Sequence, residues 1–102
     1  MKKTSRVQVP LVSVCMITYN HEDFVAKSIE SVLQQKINAK IELVIGEDNS
    51  TDGTVAIIQH YSEKYPDLIR ARFNHSNLGM ISNFVKTLED CRGKYIAILE
   101  GD

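Results

Sequence analysis

Glu47, Asp48, Ser50, Thr51, Asp52 and Thr54 place three carboxylates and three hydroxyls directly after the apolar run Ile41 to Gly46. Oxygen groups at this density suit a cation, a nucleotide, or the free amides at the start of a helix. Ser50 or Asp52 can cap a following helix. Capping does not account for Glu47-Asp48, two carboxylates that repel each other at a strand end. Asp48-x-Ser50-x-Asp52-Gly53 resembles the first half of a calcium loop, but the twelfth position is Gln59, where a bidentate Glu is required. No G-x-G-x-x-G follows the first apolar run and no G-x-x-x-x-G-K-[ST] occurs anywhere. A nucleotide held by its base and ribose remains. A carboxylate accepts a ring N–H of uracil or a ribose hydroxyl, and Tyr19 offers a stacking face. Glu100-Gly101-Asp102 adds two carboxylates at i and i+2, a pattern that brackets Mg²⁺ or Mn²⁺ shared with substrate phosphates.

The elements that must position these groups follow from hydrophobic periodicity. Leu11 to Thr18, Ile41 to Gly46, Ile69 to Phe73 and Tyr95 to Leu99 are short apolar or alternating runs that predict strands, the first and last of them buried. Val25, Ile29, Val32 and Leu33 predict a helix that begins near His21 with Asn20 as its cap. Val55, Ile58 and Tyr61 predict a second, stopped by Pro66. Ile81, Phe84, Val85 and Leu88 predict a third, closed by Arg92-Gly93. The order β-α-β-α-β-α-β argues for a parallel sheet with right-handed crossovers. With strand order 3-2-1-4, Tyr19, Asp48 and Asp102 share the crevice beyond the carboxyl ends of the strands, where ligands bind in open α/β sheets.

The 102 residues suffice for one domain, with residues 1–10 expected to be frayed and 11–102 folded. A net charge of −1 gives no pull towards nucleic acid. Cys15 and Cys91 read as two buried free thiols of a reducing compartment. His21, His60 and His75 are too scattered for a zinc site. The sequence lacks a signal-peptide core and an apolar run of membrane-spanning length, so a cytoplasmic chain is expected.

Four stretches together resemble the nucleotide-binding half of a family 2 glycosyltransferase with the GT-A fold. They are VSVCMITYNHEDFVAKSIESVLQQ, IELVIGEDNSTDGT, NLGMISNF and YIAILEGD, spanning Val12 to Asp102. The resemblance implies an α/β, Rossmann-like three-layer sandwich with a mostly parallel sheet, truncated after the fourth strand. It implies that Thr18, Tyr19, Asn20, Glu22, Glu47, Asp48, Asn77, Gly79 and Glu100 surround a nucleotide-diphosphate sugar, with Tyr19 against the base and Asp48 on the base or ribose. Glu100 and Asp102 would hold Mn²⁺ or Mg²⁺. Glu47 stands where the family usually has Asp, at a supporting position, and Glu100 likewise begins the acid-x-acid pair in place of Asp.

The implied chemistry is inverting, metal-dependent transfer of a sugar, with uridine diphosphate as the expected carrier. The acceptor would be a glycan or lipid-linked hydroxyl, as in cell-envelope polysaccharide synthesis. The resemblance places the catalytic base in a later half that does not follow here, so this stretch alone is expected to be inactive. Its parent would lie at the inner face of the membrane if that half carries an amphipathic segment. A sheet edge left bare is expected to favour homodimers or looser self-association. The alternative reading is a phosphoacceptor signalling domain. That class wants its acidic pair after strand one and its acceptor Asp after strand three, where this chain has Thr18-Tyr19-Asn20 and Asn74-His75-Ser76.

Overall fold

The computed structural model describes residues 9–35 and 40–100. Residues 1–8, part of the stretch expected to fray, lie outside the described residues, and so do Gly101 and Asp102. The elements are β1 (Val12–Thr18), α1 (Val25–Leu33), β2 (Ile41–Glu47), α2 (Thr54–Lys64), β3 (Ile69–Phe73), α3 (Met80–Asp90) and β4 (Tyr95–Glu100). All strands pair in parallel, in the order β3-β2-β1-β4. The predicted α/β class and strand order hold, and each strand lies within a residue or two of its predicted bounds.

The two faces of the sheet differ in chemistry. Met16, Leu43, Ile45 and Ile69 pack with Val25, Ile29 and Val32 of α1 and Ile58 of α2 into one apolar cluster. Because side chains alternate along a strand, the other face carries Ser13, Cys15, Glu42, Gly46, Arg70 and Arg72, and α3 covers much of it. Burial, with Cys91 beside it, pushes the Cys15 thiol up to about 12. Cys91 is only half-buried.

Three expectations are corrected. The first helix does not begin near His21. Asn20 takes the left-handed conformation (φ 56°), and its side-chain oxygen accepts from the Thr51 amide (2.8 Å) instead of capping a helix. A turn intervenes and α1 starts at Val25, with no side-chain cap. The third helix does not turn its whole apolar stripe to the sheet. Asn83 and Thr87 are its buried residues, while Met80, Ile81 and Val85 are exposed. Small polar groups are what Gly46 and Arg72 admit beneath it. A Cβ at Gly46 would stand 1.9 Å from the Thr87 hydroxyl, so helix and strand approach where no side chain intervenes. Finally, β4 is not a buried strand. Tyr95, Ile96 and Ile98 are exposed because β4 pairs with β1 alone among the described residues and α3 packs over β1 and β2.

At the amino-terminal end of the strands, Glu42 is 4% exposed and gathers donors from three residues, Ser13, Arg70 and Arg92. Its carboxylate accepts from the Ser13 hydroxyl (2.6 Å), the Arg92 amide (2.8 Å) and side chain (3.3 Å), and Arg70 Nη2 (3.0 Å). This cluster, unforeseen in the sequence, ties β1, β2, β3 and the turn after α3 together at the end of the sheet remote from the acidic segment.

Candidate nucleotide site

The carboxyl ends of β1 and β2 adjoin, with Thr18 opposite Glu47 in register. This places the first polar loop beside the acidic segment. Glu47 is fully buried, and its carboxylate accepts from the Thr18 hydroxyl (2.8 Å), the Ser50 amide (2.7 Å) and the Ser50 hydroxyl. Glu47 therefore holds the loop and does not line an opening. Asn20 and Glu22 are likewise engaged within the protein. The Thr51 amide donates to Asn20 Oδ1 (2.8 Å), and the Gly53 amide donates to Glu22 Oε1 (3.0 Å). They staple the loop after β1 to the loop after β2.

Asp52 does serve the second helix. Its Oδ1 accepts from the Thr54 amide at 2.9 Å and from the Thr54 hydroxyl. Slight burial works against its charge, but these bonds and one from the Glu22 amide hold the carboxyl below its usual value.

Asp48 behaves differently. It is only 2% exposed, yet it borders a cavity of about 350 Å³. Its Oδ1 accepts from the Leu78 amide (2.8 Å) and Asn74 Nδ2 (3.0 Å), and its Oδ2 from the Gly79 amide (3.0 Å). Asn77 Nδ2 donates to the Asp48 carbonyl (3.1 Å). A carboxylate from the end of β2 thus holds the amino end of α3, where the helix dipole favours negative charge. Gly79 sits at φ 92°, a conformation glycine adopts without strain.

The cavity is lined by Thr18, Tyr19, Asp48, Asn77 and Gly79 of the predicted set, joined by Ile17, His21, Met80 and Asn83. Tyr19 is 44% exposed, so its ring face is available. Glu100 borders an adjoining cavity of about 470 Å³ that shares Ile17, His21 and Met80 with the first. It is an exposed carboxylate, a hard oxygen donor of the kind Mg²⁺ and Mn²⁺ prefer. Its expected companion Asp102 lies outside the described residues. Sequence reasoning missed Arg72, Asn74 and Asn83, which stand behind Asp48. The alternation in Ile69 to Phe73 placed the arginines on one face, but nothing local to β3 said that this face meets α3.

A model of "Glycosyl transferase family 2" matches residues 13–102. Abequosyltransferase RfbV of Salmonella typhimurium is 34% identical over 93 residues, covering 90% of this chain and 28% of that protein. The structure superposes on mannosyltransferase PcManGT of Pyrobaculum calidifontis, solved with GDP-Man and Mn²⁺, with a TM-score of 0.81 at 25% identity, over 93% of this chain and 28% of that one. Staphylococcus aureus TarS, solved with UDP, gives 0.77 at 25% identity, over 89% and 27%. The chain spans between 13% and 36% of the length of the curated relatives it matches.

Proposed function

This chain belongs to glycosyl transferase family 2, and from that premise we infer that it forms the donor-nucleotide half of a site that moves a sugar from a nucleotide diphosphate to an acceptor hydroxyl. The carrying observation is the state of Asp48. An ionised carboxylate offers about four acceptor positions. Protein donors occupy three: two on Oδ1 and one on Oδ2. The position left on Oδ2 suits a base that offers a single ring N–H between two carbonyls, which is uracil. Guanine brings two adjacent donors, of which only one would be met. Tyr19 supplies the stacking face and Gly79 lets the loop backbone come close.

In the transfer, the acceptor oxygen attacks the anomeric carbon as the bond to the diphosphate breaks, from the opposite side, so the configuration inverts. The acceptor proton goes to a general base, which we assign to polypeptide beyond these residues. A divalent metal would neutralise the departing diphosphate. Glu100, an exposed oxygen donor at the strand end, would help hold such an ion, with Asp102 as its partner. The acceptor, a glycan or lipid-linked hydroxyl, also lies with the part of the relatives that this chain does not span.

Calorimetric titration of UDP, with and without Mn²⁺, tests the assignment. UDP is expected to bind more tightly with metal, and GDP to bind about tenfold more weakly than UDP, the worth of one hydrogen bond to a charged group. Equal affinity for both nucleotides would defeat the single-acceptor argument, and no binding of either would defeat the nucleotide assignment. The outer edge of β4, unpaired among the described residues, with Tyr95, Ile96 and Ile98 exposed, supports self-association through that edge. Light scattering is expected to give a mass above the monomer; a monodisperse monomer would count against it.

A further inference from the structure

Behind Asp48 lies a polar relay that the sugar-transfer chemistry does not require. Arg72 Nε donates to Asn74 Oδ1 (2.8 Å), and Arg72 Nη2 donates to Asn83 Oδ1 (2.7 Å) and to the Thr87 hydroxyl (3.1 Å). Arg72 Nη1 pairs with Asp90. Asn74 Nδ2 donates both to Asp48 Oδ1 and to Asn83 Oδ1 (3.0 Å each). Asn83 Nδ2 donates to the Gly46 carbonyl at 2.8 Å. Asn83 and Thr87 are buried, at 1% and 0% exposure.

The chemistry dictates the orientation of the Asn74 amide. A guanidinium has only donors, so it demands the amide oxygen. An ionised carboxylate has only acceptors, so it demands the amide nitrogen. Asn74 meets both at once because its amide carries one of each. Asn83 works the same way between Arg72 and the Gly46 carbonyl. Each partner rules out the flipped amide, so the set has one arrangement with every member satisfied. A fully satisfied polar network of this kind, buried at Asn83 and Thr87 and half-buried at Arg72 and Asn74, is rigid. The rigidity ends on Asp48, and from there on the Leu78 and Gly79 amides, of which Gly79 borders the cavity.

We propose that Arg72 and Asn83 are positioning residues: through Asn74 they fix the Asp48 carboxylate, and through it the Asn77-Leu78-Gly79 loop, in the geometry that receives the nucleotide base. The proposal rests on the nucleotide reading of the cavity, and its test separates the two. Arg72→Lys keeps a cation near Asp90 but cannot aim donors at Asn74, Asn83 and Thr87 together. It is expected to raise the UDP dissociation constant about tenfold, the loss of one charge-assisted bond. The Leu78 and Gly79 amide protons are expected to move upfield in the NMR spectrum as their bonds to Asp48 lengthen. Combined with Asp48→Asn, the same substitution is expected to add no further loss of affinity, because its effect runs through that carboxylate.

Unmoved amide resonances would overturn the proposal, and so would a loss that adds in full to that of Asp48→Asn. Should Arg72→Lys fail to fold, Asn74→Ala at a half-buried position gives the same three readouts. If the unaltered protein binds no UDP, the nucleotide reading fails on its own, and the amide resonances still decide whether the relay fixes Asp48.

Discussion

Asp48→Asn is expected to weaken nucleotide binding by more than about a hundredfold, to a level that calorimetry at high nucleotide concentration still reads, while leaving the fold in place. The substitution keeps the shape of the side chain but replaces one acceptor oxygen by a donor. In either orientation an NH₂ group then faces an N–H: the Gly79 amide on one side, or the Leu78 amide and Asn74 Nδ2 on the other. The loop therefore loses its anchor as the base loses its acceptor. Bonds to a charged group contribute about 1.5–3 kcal/mol each, so losing the base contact together with the loop geometry should weaken binding by more than about a hundredfold. Calorimetry with UDP reads the affinity, and hydrogen exchange at the Leu78 and Gly79 amides reads the loop. The core cluster on the other face of β2 is untouched, so the thermal transition is expected to stay cooperative. Retained affinity within a few-fold of the unaltered protein would show that the base is recognised elsewhere.

The second large effect falls on stability, at the opposite end of the sheet. Glu42→Gln is expected to destabilise the protein by about 3 kcal/mol, towards the lower end of the cost of removing one partner of a buried ion pair. The lower end applies because Arg70 and Arg92 are partly exposed and can turn to water once the carboxylate is gone. For a domain of this length that corresponds to a fall of roughly 10–20 °C in Tm.

The pH dependence has a definite sign. Burial works to raise the pKa of Glu42, but the Ser13 hydroxyl, the Arg92 amide and Arg70 together outweigh it, and the carboxyl is held below its usual 4.5. A carboxyl depressed in the folded state stabilises the fold above its unfolded pKa, and that contribution is lost as pH falls through the folded value. The gap in Tm between the unaltered protein and Glu42→Gln should therefore be full near neutrality and narrow below about pH 4.5. A gap that stays constant into acid would mean that the charge on Glu42 is not what holds the strand ends. Nucleotide affinity near neutral pH should change little, since Glu42 stands at the other end of β2 from Asp48.

Local pattern carried much of this architecture. Runs such as Val12–Thr18 and Ile41–Glu47 are too short and too apolar for surface helices, and the 3–4 residue spacing of Val25, Ile29 and Val32 admits little but an amphipathic helix. Alternation of the two then requires parallel strands, and parallel strands bring the loops after β1 and β2 to one end. For that reason Tyr19 and Asp48 could be placed together from the order of elements alone, and family membership agreed with the same motifs.

Which side of each element meets a partner was decided by tertiary contact. Asn83 lies among apolar neighbours in α3, and by pattern it is a solvent residue. It is buried because Gly46, 37 positions earlier, leaves room for it and offers a carbonyl to bond. Asn20, Glu22 and Glu47 carry the right groups for a ligand, but Ser50, Thr51 and Gly53 arrive first and take their hydrogen bonds. Periodicity is a property of neighbours along the chain and determines what each segment becomes. Satisfaction of buried polar groups is settled between segments far apart in sequence, so only the folded structure separates Glu47, turned inward onto Thr18 and Ser50, from Asp48, which borders a cavity.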